Sequence, residues 1–338
     1  ASIRGTECSG GHFNLYDDRH AQDGREIVEW IGTRSWSNGA VGMVGGSFPG
    51  QTAYWVAASG PRPEHLKAVI PSLLHSDIYR DIFMPVGVQN ILFPSLWTYG
   101  LGVVSGPHRV PYDSVRNGTI PNDEICVQAE ASRYGVGDLF QPQLEPVWRG
   151  IEGVDNDWYH DHAALDVADN IKIPYYQQGN WQDEQVGPRA VVLVHHIHPD
   201  PVEICTDPQN PQNKVTVIPK KFALSSGDHG NGGFYNADRW KWFDIFLRGK
   251  CDVTGLLANP DSSDRPENAV VNYFETVDSS NYLTKKSGRA WPFPDTDWQQ
   301  WYIHEGGLLD QDPPGAGEGQ DVYLSGVPRR GWFWYEEY

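Results

Sequence analysis

One hexapeptide constrains this chain more than any other feature: Gly45-Gly46-Ser47-Phe48-Pro49-Gly50. Before it stands Ala40-Val41-Gly42-Met43-Val44, a short apolar run of the kind buried in parallel sheets. After it, residues 51–59 are small and apolar enough to pack closely as a helix. Leu66-Lys67-Ala68-Val69-Ile70-Pro71 then reads as a further strand. Strand, tight turn, helix and strand in that order predict an α/β fold. A glycine turn that merely happens to carry a serine is the competing reading. The flanking strand and helix weigh against it.

A serine on a strained strand-to-helix turn is presented as a nucleophile. The backbone N–H that follows it, from Phe48, points into the site as an oxyanion donor, reinforced by the helix N-terminus. A hydroxyl nucleophile needs a base, and the base needs an orienting carboxylate. Ser226-Gly227-Asp228-His229-Gly230 follows a strand at 221–224, and His229 fits the base. Gly179-Asn180-Trp181-Gln182-Asp183-Glu184 follows a run at 171–177, and Asp183 fits the acid. The order nucleophile, acid, histidine is that of the α/β-hydrolases. Asp228 is a poor rival because neighbouring side chains diverge, and Glu184 stands in the same relation to Asp183. Glu184 and Trp181 remain as residues that could face a substrate.

The other histidines carry less. His195, His196 and His198 lack the i, i+4 spacing that brings two ligands onto one helix face, so no metal site is expected. His160, Asp161 and His162 read as a solvated or packing segment. Trp97, Tyr99 and Trp148 either line an acyl pocket or belong to the core. Cys8, Cys126, Cys205 and Cys251 contain no C-x-x-C pair, which excludes a zinc ribbon or a thioredoxin-like motif. They make up to two disulfides or stay as buried thiols. Asn117-Gly118-Thr119 is a glycosylation sequon and leans mildly towards secretion.

Charge excludes whole classes of partner. With 26 basic against 44 acidic residues the net charge is −18, so nucleic acid and anionic membrane are repelled. The apolar run at 190–194 is far short of the ~20 residues a membrane-spanning helix needs. The 36 Gly, 25 Pro and 14 Trp speak for loops and β structure rather than a helical bundle.

Along the chain, residues 1–72 read as the first part of an α/β core, with a helix at 23–33. Residues 73–166 read as an inserted, mainly helical cap. The core resumes over 167–258, with helices at 188–198 and 237–247. Short strands at 270–275, 299–303, 321–324 and 331–335 then suggest a separate all-β, sandwich-like domain over 259–338.

These residues resemble the cocaine esterase / X-prolyl dipeptidyl-peptidase family, which includes α-amino acid ester hydrolases and glutaryl acylases. The resemblance is carried by Arg4-Gly5-Thr6 with Ser9-Gly10-Gly11, by Ile27-Val28-Glu29-Trp30, and by Trp36-Ser37-Asn38-Gly39 running into the Ser47 turn. It continues through His65-Leu66-Lys67-Ala68, Gly179 to Asp183, Gly227-Asp228-His229-Gly230, Trp242-Phe243-Asp244 and Leu247-Arg248-Gly249. It implies an α/β-hydrolase core with a helical cap and a C-terminal jelly roll. It also implies Ser47 as nucleophile, Asp183 as acid, His229 as base, and a reaction without a cofactor. The substrate it implies is a small ester, an amide or a short peptide; self-association is left open. The family has a substantial segment before the Arg-Gly-Thr loop, whereas 46 residues precede Ser47 here. The expectation is therefore a chain incomplete at both ends, with the sheet open beside 41–44. A non-catalytic hydrolase-like binding protein, or an inert fragment of the enzyme, is the alternative.

Overall fold

A computed structural model describes residues 2–6, 8–11, 13, 15–16, 18–90, 93–94, 96–97, 124–131, 154–230, 236–257, 270–275, 283–288 and 291–319. The chain divides into two compact units, Ala1–Phe293 and Pro294–Tyr338.

The larger unit is built on a six-stranded sheet. Its strands are β1 (Val41–Gly46), β2 (Leu66–Ser72), β3 (Tyr175–Asn180), β6 (Lys220–Ser225), β7 (Val270–Glu275) and β8 (Leu283–Gly288), in that spatial order. The first five run parallel and β8 returns antiparallel at one edge. Among the described residues β1 pairs only with β2, and Val44 is half exposed. Strands β4 (Val202–Cys205) and β5 (Lys214–Val217) form a separate antiparallel hairpin that the sequence pattern did not suggest.

Period-two alternation divides the core between the two faces of the sheet. Val69, Tyr175, Phe222 and Leu224 pack on one face with Tyr54, Val56 and Ala57 of α2 (Phe48–Ala58). Ala68, Ile70, Tyr176 and Ala223 pack on the other with Trp242 and Ile245 of α6 (Asn236–Arg248) and with Ile204 and Val217 of the hairpin. Helix α1 (Asp18–Gly32) lies along α2, burying Ala21 and Val28. Its last residue, Gly32, cannot carry a side chain, because a Cβ there would lie 2.1 Å from the His65 ring.

A third cluster joins Phe13, Leu15 and Tyr16 of the N-terminal loop to Trp55, to Ile78, Ile82 and Phe83, and to Val186. Within 73–166 the described elements are all helical. They are a π-turn at Tyr79–Phe83, a 3-10 turn at Pro85–Gly87, and α3 (Glu124–Ala131), α4 (Asp157–Asp161) and α5 (Ala164–Val167). The sequon at Asn117 lies outside the described residues.

Two expectations are corrected. The segment at 188–198 is a 3-10 helix over Arg189–His195, framed by Pro188 and Pro199 and interrupted by β-branched Val191, Val192 and Val194. The residues from 259 onward do not all stand apart: β7 pairs parallel with β6 and extends the main sheet, and the second unit begins at Pro294. The Val270–Glu275 run finds its backbone partners on β6. In the smaller unit, β9 (Tyr302–His304) and β10 (Leu308–Asp310) form an exposed antiparallel pair. The strands expected at 321–324 and 331–335 lie outside the described residues.

All four cysteines pair, Cys8 with Cys126 and Cys205 with Cys251. The second bridge closes a separation of 46 residues, tying the end of β4 to the loop after α6. Chain entropy gives such a loop about 4 kcal/mol. Replacing Cys205 and Cys251 together by serine is expected to lower the urea-unfolding free energy by roughly that amount. A loss under about 1 kcal/mol would mean that the unfolded chain gains little freedom from the cut.

Candidate active site

The turn between β1 and α2 is shaped by close approach. A Cβ on Gly45 would lie 2.4 Å from the Pro49 carbonyl carbon, and one on Gly50 would lie 2.5 Å from the Ser72 carbonyl oxygen. Only glycine lets strand and helix pass at that distance. Ser47, between them, has φ 60° and ψ −132°, a strained conformation for a residue with a side chain. Its N–H donates to Ser72 O at 2.9 Å, and its carbonyl accepts from Gln51 N at 2.9 Å. Phe48 opens the helix, so its N–H belongs to the first-turn amides that lack an intrahelical acceptor. Pro49 at the next position contributes no N–H at all.

Two loops at the C-terminal ends of β3 and β6 meet this turn. His229 Nε2 lies 2.7 Å from Ser47 Oγ, while His229 Nδ1 lies 2.9 Å from both Asp183 carboxylate oxygens. A carboxylate only accepts, so Nδ1 carries the proton and Nε2 is left bare to accept from the Ser47 hydroxyl. The Asp183 side chain is 1% exposed, and its Oδ1 also accepts the N–H groups of Gln185 and Val186, both at 3.0 Å. Asp228 turns away: its Oδ1 accepts from Gly230 N at 2.8 Å.

The β3 loop grips the His229 loop through alternate residues. Asn180 Nδ2 donates to Asp228 O at 2.7 Å, Gln182 Oε1 accepts from Gly227 N at 2.7 Å, and Glu184 Oε2 accepts from His229 N at 3.0 Å. Glu184, read from the sequence as a residue that could face a substrate, has a carboxylate that holds the His229 backbone. Trp181, the other residue read as able to face a substrate, packs against Trp291, ring centroids 5.0 Å apart. An i, i+2, i+4 row of polar residues after a strand was the signal for this clamp, and it was passed over.

The cleft beside Ser47 is lined by Tyr16, Gln51, His75, Trp97 and Val186 among others. Tyr16 stacks on Phe48 at 4.7 Å, and burial pushes its phenol up, so it keeps its proton. Trp97 lines the cleft as one of the two readings had it; Tyr99 and Trp148 lie outside the described residues. His160 is exposed and bonds Asp166 at 2.7 Å, and His162 stacks on Trp158 at 4.4 Å. His195, His196 and His198 lie away from the cleft. Among the described residues no three His, Cys, Asp or Glu side chains group as metal ligands, and no helix is long and apolar enough to cross a membrane.

A parallel sheet with helices on both faces, and a serine on a strained turn between strand and helix, define an α/β-hydrolase fold. Over residues 1–229 the chain matches the family described as X-Pro dipeptidyl-peptidase (S15 family), and it belongs to that family. It is similar to the cocaine esterase of Rhodococcus sp. (strain MB1 Bresler), with 39% identity over 336 residues, covering 93% of this chain and 53% of the esterase. Among solved structures it resembles a CocE/NonD family hydrolase from Staphylococcus aureus, with a TM-score of 0.58 and 21% identity over 92% of this chain and 45% of that one. It also resembles an aminopeptidase from a marine sediment archaeon, with a TM-score of 0.61 and 18% identity over 93% and 51% of the two chains. The chain spans about half the length of the curated relatives it matches.

Proposed function

We propose that this chain carries the catalytic machinery of a serine hydrolase that cleaves ester or amide bonds through an acyl-enzyme. The observation that carries the reading is the relay from Ser47 Oγ to His229 Nε2, 2.7 Å, and from His229 Nδ1 to Asp183, 2.9 Å. In the first half-reaction Ser47 Oγ attacks the substrate carbonyl while His229 takes its proton. The imidazolium so formed is held by Asp183, and the oxyanion receives the Phe48 N–H. His229 then passes its proton to the departing alcohol or amine. In the second half-reaction His229 takes a proton from water, the hydroxide adds to the acyl carbon, and Ser47 leaves reprotonated. The family's description names a peptidase and the esterase relative an ester-cleaving enzyme, so small esters, amides and short peptides are the substrate classes to test.

The test is covalent labelling followed by profiling. A fluorophosphonate probe is expected to add once, on the peptide bearing Ser47, with loss of fluoride. A panel of p-nitrophenyl esters and X-Pro amides is expected to yield turnover that the same probe abolishes. Labelling elsewhere, or turnover that survives full labelling of Ser47, overturns the reading.

A further inference from the structure

Among the described residues, two buried polar side chains in the cleft find no hydrogen-bond partner. His75 is 1% exposed and neither ring nitrogen is bonded; Gln51 is 1% exposed and neither its amide oxygen nor its nitrogen is bonded. Both line the same cleft as Ser47. Buried polar groups are nearly always satisfied, and four unsatisfied atoms from two residues at one cleft call for an explanation.

The backbone carrying His75 is fixed from both sides. Leu73, at φ 53°, donates its N–H to Gln178 O at 2.9 Å. Beyond His75, the buried Asp81 carboxylate accepts from Ser76 N at 2.6 Å, Ser76 Oγ at 2.8 Å and Asp77 N at 2.9 Å, and Arg189 Nη1 closes on it at 3.0 Å. Leu165 N holds Ser76 O at 2.9 Å. The His75 ring lies beside the Tyr16 ring, centroids 5.1 Å apart. Gln51 is fixed just as firmly, one turn into α2 with its N–H on Ser47 O. So the scaffold is satisfied and the side-chain heads are not.

We propose that His75 and Gln51 form a recognition site for the acyl half of the substrate, selecting acyl groups that carry an uncharged hydrogen-bonding function such as an amide or a hydroxyl. The inference rests on the serine-hydrolase reading above. The acyl half is chosen because it stays bound, at the serine whose cleft these two residues line, while the leaving group departs. An uncharged function follows from the lining, in which, among the described residues, none carries a formal charge. Burial holds His75 down to about 3, so its imidazole is neutral and offers one donor and one acceptor. Gln51 adds two N–H donors and a carbonyl acceptor. A site with such fixed heads rejects an analogue that leaves them unpaired, far more than a hydrocarbon pocket rejects a missing methylene.

The test compares p-nitrophenyl N-acetylglycinate with p-nitrophenyl valerate on the full chain, using the ratio of their kcat/KM values so that reactivity common to the leaving group cancels. In His75→Phe that ratio is expected to fall at least about tenfold from its parental value, and Gln51→Met is expected to lower it in the same direction. If both esters change by equal factors in both variants, the two residues shape the cleft without reading the acyl group, and the proposal fails. A binding arm separates this from failure of the hydrolase reading. In Ser47→Ala, calorimetry with N-acetylglycine methyl ester and with methyl valerate is expected to give at least about tenfold tighter binding of the former. Equal dissociation constants overturn the proposal whatever the turnover, whereas preferential binding without any Ser47 labelling would overturn only the catalytic reading.

Discussion

Ser47→Ala is expected to lower kcat on any ester this chain hydrolyses by about 10⁶-fold, and His229→Ala is expected to fall to the same floor. In the proposed mechanism the two act on one event, transfer of the hydroxyl proton over the 2.7 Å between Oγ and Nε2. Once either is gone, the other has nothing to give or receive. The double variant should therefore lose little beyond the single ones, and this non-additivity is what distinguishes a relay from two independent contributions. A residue of about 10³-fold over water should survive, from binding and from the Phe48 amide, since neither substitution removes that N–H. Steady-state kinetics on one p-nitrophenyl ester measures all three variants. If Ser47→Ala retains a tenth of the parental rate, the nucleophile lies elsewhere.

Asp183→Asn is expected to cost about 10⁴-fold in kcat with little change in KM. The carboxylate offers His229 Nδ1 two acceptors at 2.9 Å and forces the proton onto that nitrogen. A carboxamide can instead present its NH2 group, which favours the opposite tautomer. Nε2 would then carry the proton and could not accept one from Ser47. The fold should tolerate the change, because the remaining amide oxygen can still accept from Gln185 and Val186. A near-parental kcat in Asp183→Asn would mean that the clamp of Asn180, Gln182 and Glu184 on the 227–229 backbone is enough to set the imidazole.

How much of this was legible depends on whether the information was local. The Ser47 turn could be read because its glycines, its flanking strand and its helix are contiguous, and each is needed for the same close passage of backbone. Asp183 and His229 could be placed because both follow strands, and parallel strands deliver their C-terminal loops to one edge of the sheet. Val270–Glu275 could not be assigned to that sheet, since its partner β6 is remote in sequence and a strand's own pattern does not say which edge it extends. The disulfide pairing was undecidable for the same reason: four separated cysteines are compatible with several pairings until the fold brings two together. For Trp181 and Glu184, nearness in sequence to Asp183 says nothing about side-chain direction; on this loop one packs on Trp291 and the other braces the His229 backbone. His75 was passed over because a lone histidine after a strand has no pattern to announce it; only the absence of a partner in the folded chain singles it out.

The bridge between Cys8 and Cys126 spans a separation of 118 residues. The segment it encloses contains Ser47, Gln51 and His75, whereas Asp183 and His229 lie outside it. A single peptide-bond hydrolysis anywhere inside that loop therefore leaves one covalent molecule, and a cut between Ser47 and Cys126 leaves the serine-bearing piece still stapled to the histidine-bearing piece. Such a molecule keeps its full mass, plus one water, on a non-reducing gel and separates into two bands only when a thiol is added. Integrity of this protein is accordingly a question of redox state as much as of sequence length: an oxidised sample can be nicked and still migrate as one species.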